Sequence, residues 1–375
     1  MTFSIDYFRP YTGETLALLK HLAEIESPTT TKAAVDRLGT FLAAELTALG
    51  ASVSFHRQAA VGDHLEARWG EGPGGILVLC HMDTVHELGT LARFPVRERN
   101  GHLYGPGTED MKGGIAILLA TVRRLREAQA WPSRPVTALI TSDEEVGSGT
   151  SRALIEALAR PADLVLCLEP SLPGGALKTA RKGTGSIWLT AHGIAGHAGS
   201  AHEGCCNAIE ELAHHILAAQ SLTDYAKGTT ANVGVVSGGT RANVVPDVAQ
   251  AEVDLRITSQ AEAERLTAWA TGLQPVLDGA TISARVEFDR PPMPRDATMA
   301  ATFQKAQSLA SRLGLTLEEG STGGASDANF VAPLGVPVLD GLGVYGDGAH
   351  SEREYMEIDS LPERTALLAE LLTAW

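Results

Sequence analysis

The sequence predicts an α/β protein with a mostly parallel sheet, interrupted by a smaller inserted α/β domain. Three observations lead there. The apolar runs GILVLC, PVTALITS and DLVLCLE have the length and unbroken hydrophobicity of strands buried on both faces. Between the first two lies GGIAILLATVRRLREAQ, whose apolar front and arginine-rich end suit a helix with cations at its negative terminus. Strand, helix, strand in this order requires a crossover, and therefore parallel pairing. After Glu169 a separate alternation of strands and helices begins, and towards the C-terminus the first kind of pattern returns.

The elements follow in order. ETLALLKHLAEIES and AVDRLGTFLAAELTALG place apolar residues at three- and four-residue steps between Gly13 and Gly50 and read as helical, with Gly50 as the stop. SVSFH reads as a strand. SLPGGALKTARKGTG, rich in Gly, Pro and small polar residues, reads as a linker. Beyond it come a strand (SIWLTAHGI), a helix (NAIEELAHHILAAQSL), two strands (TTANVGVVSG and VAQAEVDLRI) and a helix (SQAEAERLTAWATGL). That unit closes near VEFDRPPMPRD, where paired prolines forbid regular structure. A helix (ATMAATFQKAQSLASRLG), a Gly-rich loop (EGSTGGASDANF), a strand (VPVLDGLG) and a last helix (LPERTALLAELLTAW) complete the chain. The expected division is residues 1–180 and 292–375 in one domain and residues 181–291 in the inserted one.

A length of 375 residues fits two domains. The formal charge of -15, with no Lys/Arg-rich run, excludes nucleic acid as a partner. No stretch is long and apolar enough for a membrane span, and MTFSIDYFRPYTGE lacks the features of a secretory signal, so a cytoplasmic protein is expected. Cys80, Cys167, Cys205 and Cys206 lack both the spacing of a structural zinc site and that of a disulfide framework, and read as free thiols.

In parallel sheets, ligands gather at the carboxyl ends of the strands. Read at those ends, the sequence yields His81 and Asp83, then Asp143, Glu144 and Glu145, then Glu169, while Asp110 sits in the turn-rich LYGPGTEDMKGG before a helix. Carboxylates crowded at one crevice repel each other unless a cation is present. Imidazole nitrogen with carboxylate oxygen is a ligand mixture suited to zinc. Asp83 can orient His81 through its other ring nitrogen. Adjacent Glu144 and Glu145 point apart in extended or turn backbone, so one can serve a metal while the other acts as a general base. GPGTEDMKGG matches neither GxGxxG nor GxxxxGK[ST], and no GxSxG elbow exists. His86 reads as lying outside the metal set, in a surface or supporting place.

The motifs HMDTV at His81, GPGTEDMKGG around Asp110, SDEEVGS around Glu144, LEP at Glu169, GHAG at His197, NVVPD at Asn243 and GAHSE at His350 occur in series. In this the chain resembles the dizinc metallopeptidases that include glutamate carboxypeptidase, aminoacylase, acetylornithine deacetylase and succinyl-diaminopimelate desuccinylase, and most of all the glutamate carboxypeptidase branch. The resemblance implies a dizinc exopeptidase domain with an inserted lid or dimerisation domain. It assigns His81, Asp110 and Glu169 to one zinc, Asp110, Glu145 and His350 to the other, and bridging to Asp110. Cobalt or manganese are the alternative occupants. Glu144 would be the general base, Asp83 the partner of His81, and His197 a stabiliser of the oxyanion, reaching an active site that is often the partner subunit's. Asn243, Arg256 and Arg290 would contact substrate, an arginine fork suiting a free carboxylate. Met111, Ser321 and Ala325 depart from the carboxypeptidase pattern and leave its glutamate or folate preference open.

The expected activity is hydrolysis of an amide bond to an amino acid bearing a free carboxylate, with a small peptide or N-acyl amino acid as substrate and a homodimer formed through the lid domain. Two other readings share the scaffold. A non-catalytic metal- or ligand-binding protein would have shed some of these ligands or the base, and all are present. A nucleotide-binding α/β enzyme would need the phosphate loop that is missing.

Overall fold

Strand Ile76–His81 lies inside an eight-stranded sheet whose order is Ser52–His56, His64–Trp69, Val136–Thr141, Ile76–His81, Leu164–Cys167, Val338–Asp340, Leu177–Arg181 and Glu319–Thr322. The structure is a computed structural model and describes residues 3–375; Met1 and Thr2, at the start of the expected first segment, lie outside the described residues. Contacts group Met1–Ala180, Arg295–Thr322 and Ser326–Trp375 into one unit and Arg181–Pro294 with Gly323–Ala325 into another.

In the first unit the four central strands run parallel, and the flanking ones turn antiparallel. Ile76–His81 is buried along its whole length, as continuous apolar sequence requires. The crossover is helix Lys112–Glu127, packed against the helices Thr12–Glu24 and Ser360–Ala374. Its first turn carries Gly113 and Gly114 because a side chain has no room there: a Cβ at Gly114 would stand 2.2 Å from the Leu168 carbonyl oxygen, and one at Gly113 2.7 Å from that of Thr108. The helix can thus press its start against the strand end that delivers Glu169.

Several elements differ from the sequence reading. The expected linker contains the strand Leu177–Arg181, in which Leu177, Thr179 and Arg181 face inward; its small polar residues concealed the two-residue period. His64–Trp69 hides its alternation behind His64, Glu66 and Arg68 in the same way. Glu319–Thr322, from the expected Gly-rich loop, closes the sheet's edge. A small antiparallel sheet, ordered Gly346–Asp347, Tyr355–Glu357, His102–Tyr104 and Arg97–Arg99, has strands too short for any periodicity to register.

The second unit is an antiparallel sheet ordered Thr230–Gly238, Val248–Ile257, Gly183–His192 and Thr281–Arg290. Helices Ala208–Gln220 and Gln260–Thr271 cover one face. Ala249, Ala251, Val253, Leu255 and Ile257 bury every second position of their strand beneath them, together with Ile187, Leu189 and Ala191. Each helix starts on a side-chain cap, Asn207 accepting from the Ile209 and Glu210 amides and Ser259 from the Glu262 amide. Thr281–Arg290 was missed in the sequence although its apolar residues alternate, because the prolines that follow it drew the boundary too early.

Asp63 anchors the turn between the first two sheet strands. Its carboxylate accepts from Lys32 Nζ at 2.7 Å, from the Gln58 amide at 2.9 Å and from Arg57. Burial opposes ionisation, but these donors outweigh it and hold the carboxyl at about 2. A carboxyl depressed by folding stabilises fully above its unfolded value, near pH 4, and loses that contribution as pH falls through about 2. Asp63→Asn is therefore expected to lower Tm at pH 7, with the gap to the wild type closing between about pH 4 and pH 2; thermal melts across that range check it.

Candidate active site

The strand order itself assembles the site. Val136–Thr141 and Leu164–Cys167 both pair with Ile76–His81, so the segments leading to Glu145 and Glu169 emerge on either side of His81. His81 is 1% exposed. Its Nδ1 donates to the Asp83 carbonyl oxygen at 3.0 Å, an acceptor only, so the lone pair of the neutral ring sits on Nε2. That atom faces Asp110 Oδ1 at 3.0 Å and Glu169 Oε1 at 3.5 Å. On the other side of Asp110, His350 Nε2 stands 3.4 Å from Oδ2 and 3.2 Å from Glu145 Oε2. Two donor groups result, His81 with Asp110 and Glu169, and Asp110 with Glu145 and His350, and Asp110 belongs to both.

Electrostatics follow from this crowding. Burial alone would lower the affinity of His81 for a proton, but its bonds with Asp110, Asp83 and Glu169 outweigh burial and raise it well above the ordinary value. The side-chain bonds of His350 with Asp110 and Glu145 push it up to about 11. Burial would raise the Asp110 carboxyl, yet His350 and His81 hold it low. Glu145 is raised, by burial and by the charges of Asp110 and Asp83 against the pull of His350. Beside them, burial and then the Asp110 and Glu354 charges push Glu109 up to about 8. The cluster thus holds more negative charge than two imidazoles neutralise, and a neutral His81 presents a ligand nitrogen. The donor chemistry fits divalent metal ions.

Asp83 supports this arrangement in more than one way. Its carboxylate lies 3.5 Å from His81 Nδ1, farther than its own carbonyl oxygen. It also accepts the Thr29 hydroxyl at 2.7 Å and the amides of Glu145 at 3.2 Å and Glu144 at 3.4 Å. It therefore ties the loop bearing the two glutamates to the loop bearing His81. Thr29 gave no signal in the sequence, since an isolated threonine among TTT is ordinary. Glu144 and Glu145 sit together on a short 3-10 turn, Glu145 in the donor cluster and Glu144 half-buried beside it, its charge acting on His81. Below them Asp143 accepts from the Thr150 amide and hydroxyl, both at 2.7 Å.

His197, Asn243, Arg256 and Arg290 all lie in the second unit. His197 and Val244 are paired in a two-stranded ladder, and the Ala198 amide donates to the Asn243 carbonyl at 3.0 Å, so His197 and Asn243 are brought together. His197 Nδ1 accepts from the Gly199 and Ser200 amides at 3.0 and 3.1 Å, which leaves its proton on Nε2. Arg256 is held in two-point fashion by Asp254 of its own strand, at 3.0 and 2.9 Å. Arg290 is buried at the end of its strand.

A family model described as Peptidase family M20/M25/M40 matches residues 77–374. The chain belongs to that family. Among curated relatives, carboxypeptidase G2 of Pseudomonas sp. (strain RS-16) is 34% identical over 376 residues, spanning 97% of this chain and 91% of that protein. A succinyl-diaminopimelate desuccinylase of Xanthomonas oryzae pv. oryzae is 31% identical over 350 residues, with 88% and 91% covered. Among solved structures, aminopeptidase PepT from Bacillus cereus superposes with a TM-score of 0.77 at 22% identity, covering 96% of this chain and 98% of that one. The YXEP protein of Bacillus subtilis, described as a dinuclear metal-binding peptidase of the M20 family, has a TM-score of 0.72 at 15% identity, with 97% and 98% covered. This M20 chain is thus a metal-dependent hydrolase of amide bonds on the mixed α/β fold of those structures. Among its described residues no helix is long and apolar enough to cross a membrane.

Because Asp83 fixes the loop of a donor residue and not a substrate, Asp83→Asn should weaken metal binding on the order of 10–100-fold while the fold persists. Titration of the metal-free protein with Zn2+ checks this; affinity equal to the wild type would show that Asp83 is dispensable.

Proposed function

We propose that this M20 enzyme removes an amino acid bearing a free carboxylate from a small peptide or an N-acyl amino acid, using two zinc ions. His81, Asp110 and Glu169 would hold one ion, and Asp110, Glu145 and His350 the other, with cobalt or manganese as alternative occupants. The observation that carries this reading is the sharing of Asp110 between the two donor groups, since one carboxylate with an imidazole against each oxygen is what a bridging ligand needs. Bound there, the ions supply Lewis acidity that polarises the amide carbonyl and acidifies the attacking water.

The protein's own residues do the rest. Glu144 is next to a donor residue but outside the donor groups, the place required of a base that takes the proton from water and passes it to the leaving amine. His197, with Nδ1 occupied by backbone amides, offers its Nε2–H to the developing oxyanion. Asp254 engages only one edge of the Arg256 guanidinium, so the other edge remains for a carboxylate, with Asn243 and Arg290 as further substrate contacts. The relatives named as a carboxypeptidase and a desuccinylase support this substrate class.

The second unit serves in this reading as a lid and as the contact for a homodimer. Support comes from Thr230–Gly238, an edge strand with Val235 59% and Val236 56% exposed. A cytoplasmic location is supported by Cys80, Cys167, Cys205 and Cys206 joining in no disulfide among the described residues.

Glu144→Gln should abolish turnover and leave two metals bound; retention of more than about a tenth of the wild-type kcat would remove Glu144 as the base. His350→Ala should lose one metal of the two, read by elemental analysis, together with activity. A panel of N-acyl amino acids and dipeptides, each with the carboxylate free or methylated, tests the substrate class: hydrolysis indifferent to methylation would refute the carboxylate requirement.

A further inference from the structure

Glu354 lies four residues beyond His350 and is 1% exposed, yet it reaches neither donor group. Its carboxylate accepts four hydrogen bonds. Oε1 takes the amides of Glu109 at 2.9 Å and Asp110 at 3.0 Å; Oε2 takes the amide of Gly107 at 2.9 Å and the Nε2 of His86 at 2.8 Å. Only an ionised carboxylate, which accepts and never donates, can satisfy four donors at once. Three of them are successive parts of the loop that ends in Asp110, and the fourth belongs to the segment that follows His81.

We propose that Glu354 is a positioning residue that sets the place of the shared carboxylate Asp110, with His86 as its second anchor. The segments carrying His81, Asp110 and His350 are remote in sequence and meet at this one side chain. The turn from Gly348 to Glu354 gives His350 at its start and Glu354 at its end. It is closed internally by the Ser351 hydroxyl on the Gly348 carbonyl at 2.7 Å and by the Glu354 amide on the Ser351 carbonyl at 3.2 Å. A displacement of either end therefore moves the other. The Asp110 loop has little freedom of its own to correct such a shift: a Cβ at Gly107 would stand 2.8 Å from Thr84, so the loop is already pressed against the segment after Asp83. Because Asp110 faces both imidazoles, a misplaced Asp110 disturbs both donor groups together. Glu354 touches backbone and His86, not the residues assigned to substrate, so its effect falls on metal retention and kcat and spares KM.

This inference rests on the dimetal reading, and its first readout is independent of turnover. Co2+ is titrated into the metal-free full-length protein by calorimetry, for the wild type, Glu354→Gln, Glu354→Ala and His86→Ala. The glutamine variant keeps the shape of the side chain but turns a donor towards a donor at one oxygen. Its Co2+ affinity should fall on the order of 10–100-fold, with kcat falling by a similar factor and KM staying within about threefold. The alanine variant should lose more, and His86→Ala, which removes one donor of four, less, at a Tm near the wild type's. Two Co2+ bound as tightly as in the wild type by folded Glu354→Gln and by His86→Ala overturns the proposal. So does a fall in activity that follows the unfolded fraction alone, or a rise in KM equal to the loss in kcat. Should the Glu354 variants fail to fold, His86→Ala decides, unchanged affinity and kcat counting against the proposal. Should the wild type hydrolyse none of the panel substrates, the substrate reading fails and the Co2+ isotherms still judge Glu354.

Discussion

Everything at this site depends on the cost of keeping carboxylates together away from water. Asp110, Glu145 and Glu169 converge on two imidazoles at one sheet edge, and desolvation opposes the charge on each of the first two. Such a cluster persists only where positive charge is drawn in. The histidines supply part of it, and their carboxylate neighbours raise the proton affinity of both His81 and His350. With divalent cations bound, the same groups would serve as ligands, and proton binding would give way to metal binding.

Holding mutually repelling groups in place requires a rigid frame, and the parallel sheet supplies most of it. Adjacent strands deliver His81, Glu169 and the Glu144–Glu145 turn at fixed lateral spacing. The remaining donor residues, Asp110 and His350, come from loops, and loops must be tied. Asp83 binds the amides of the glutamate turn and Glu354 binds those of the Asp110 loop, so each uses a buried carboxylate to accept backbone donors. In both cases the anion that fixes the loop adds to the negative field that favours cations.

The second unit obeys different rules. Its sheet is antiparallel and covered by helices on one face, so apolar and polar residues alternate along Val248–Ile257, and Arg256 and Asp254 occupy the less buried side where they pair. His197 is oriented by local means alone, two backbone amides fixing its tautomer within the turn that carries it. The buried charged cluster is thus built on the parallel sheet, while Arg256 stands on the less buried face of the antiparallel one and His197 in a separate two-stranded ladder.

Much of this was legible in the sequence. Continuous apolar runs announced the central strands because both faces are buried, and the residues that end them announced part of the donor cluster. His81, Asp110, Glu145, Glu169 and His350 were singled out before any geometry, and the structure places them in two overlapping groups. Strands such as His64–Trp69 and Leu177–Arg181 were not legible, because half-buried strands carry polar residues and resemble loops. Nor could the sequence assign His86 or Glu354: a histidine or glutamate reads as surface until the amides around it are known. Ligand identity is a matter of side-chain type, which sequence states directly. Which carboxylate joins a donor group and which holds the loop beneath it depends on distances between segments far apart in the chain, and only tertiary packing decides those.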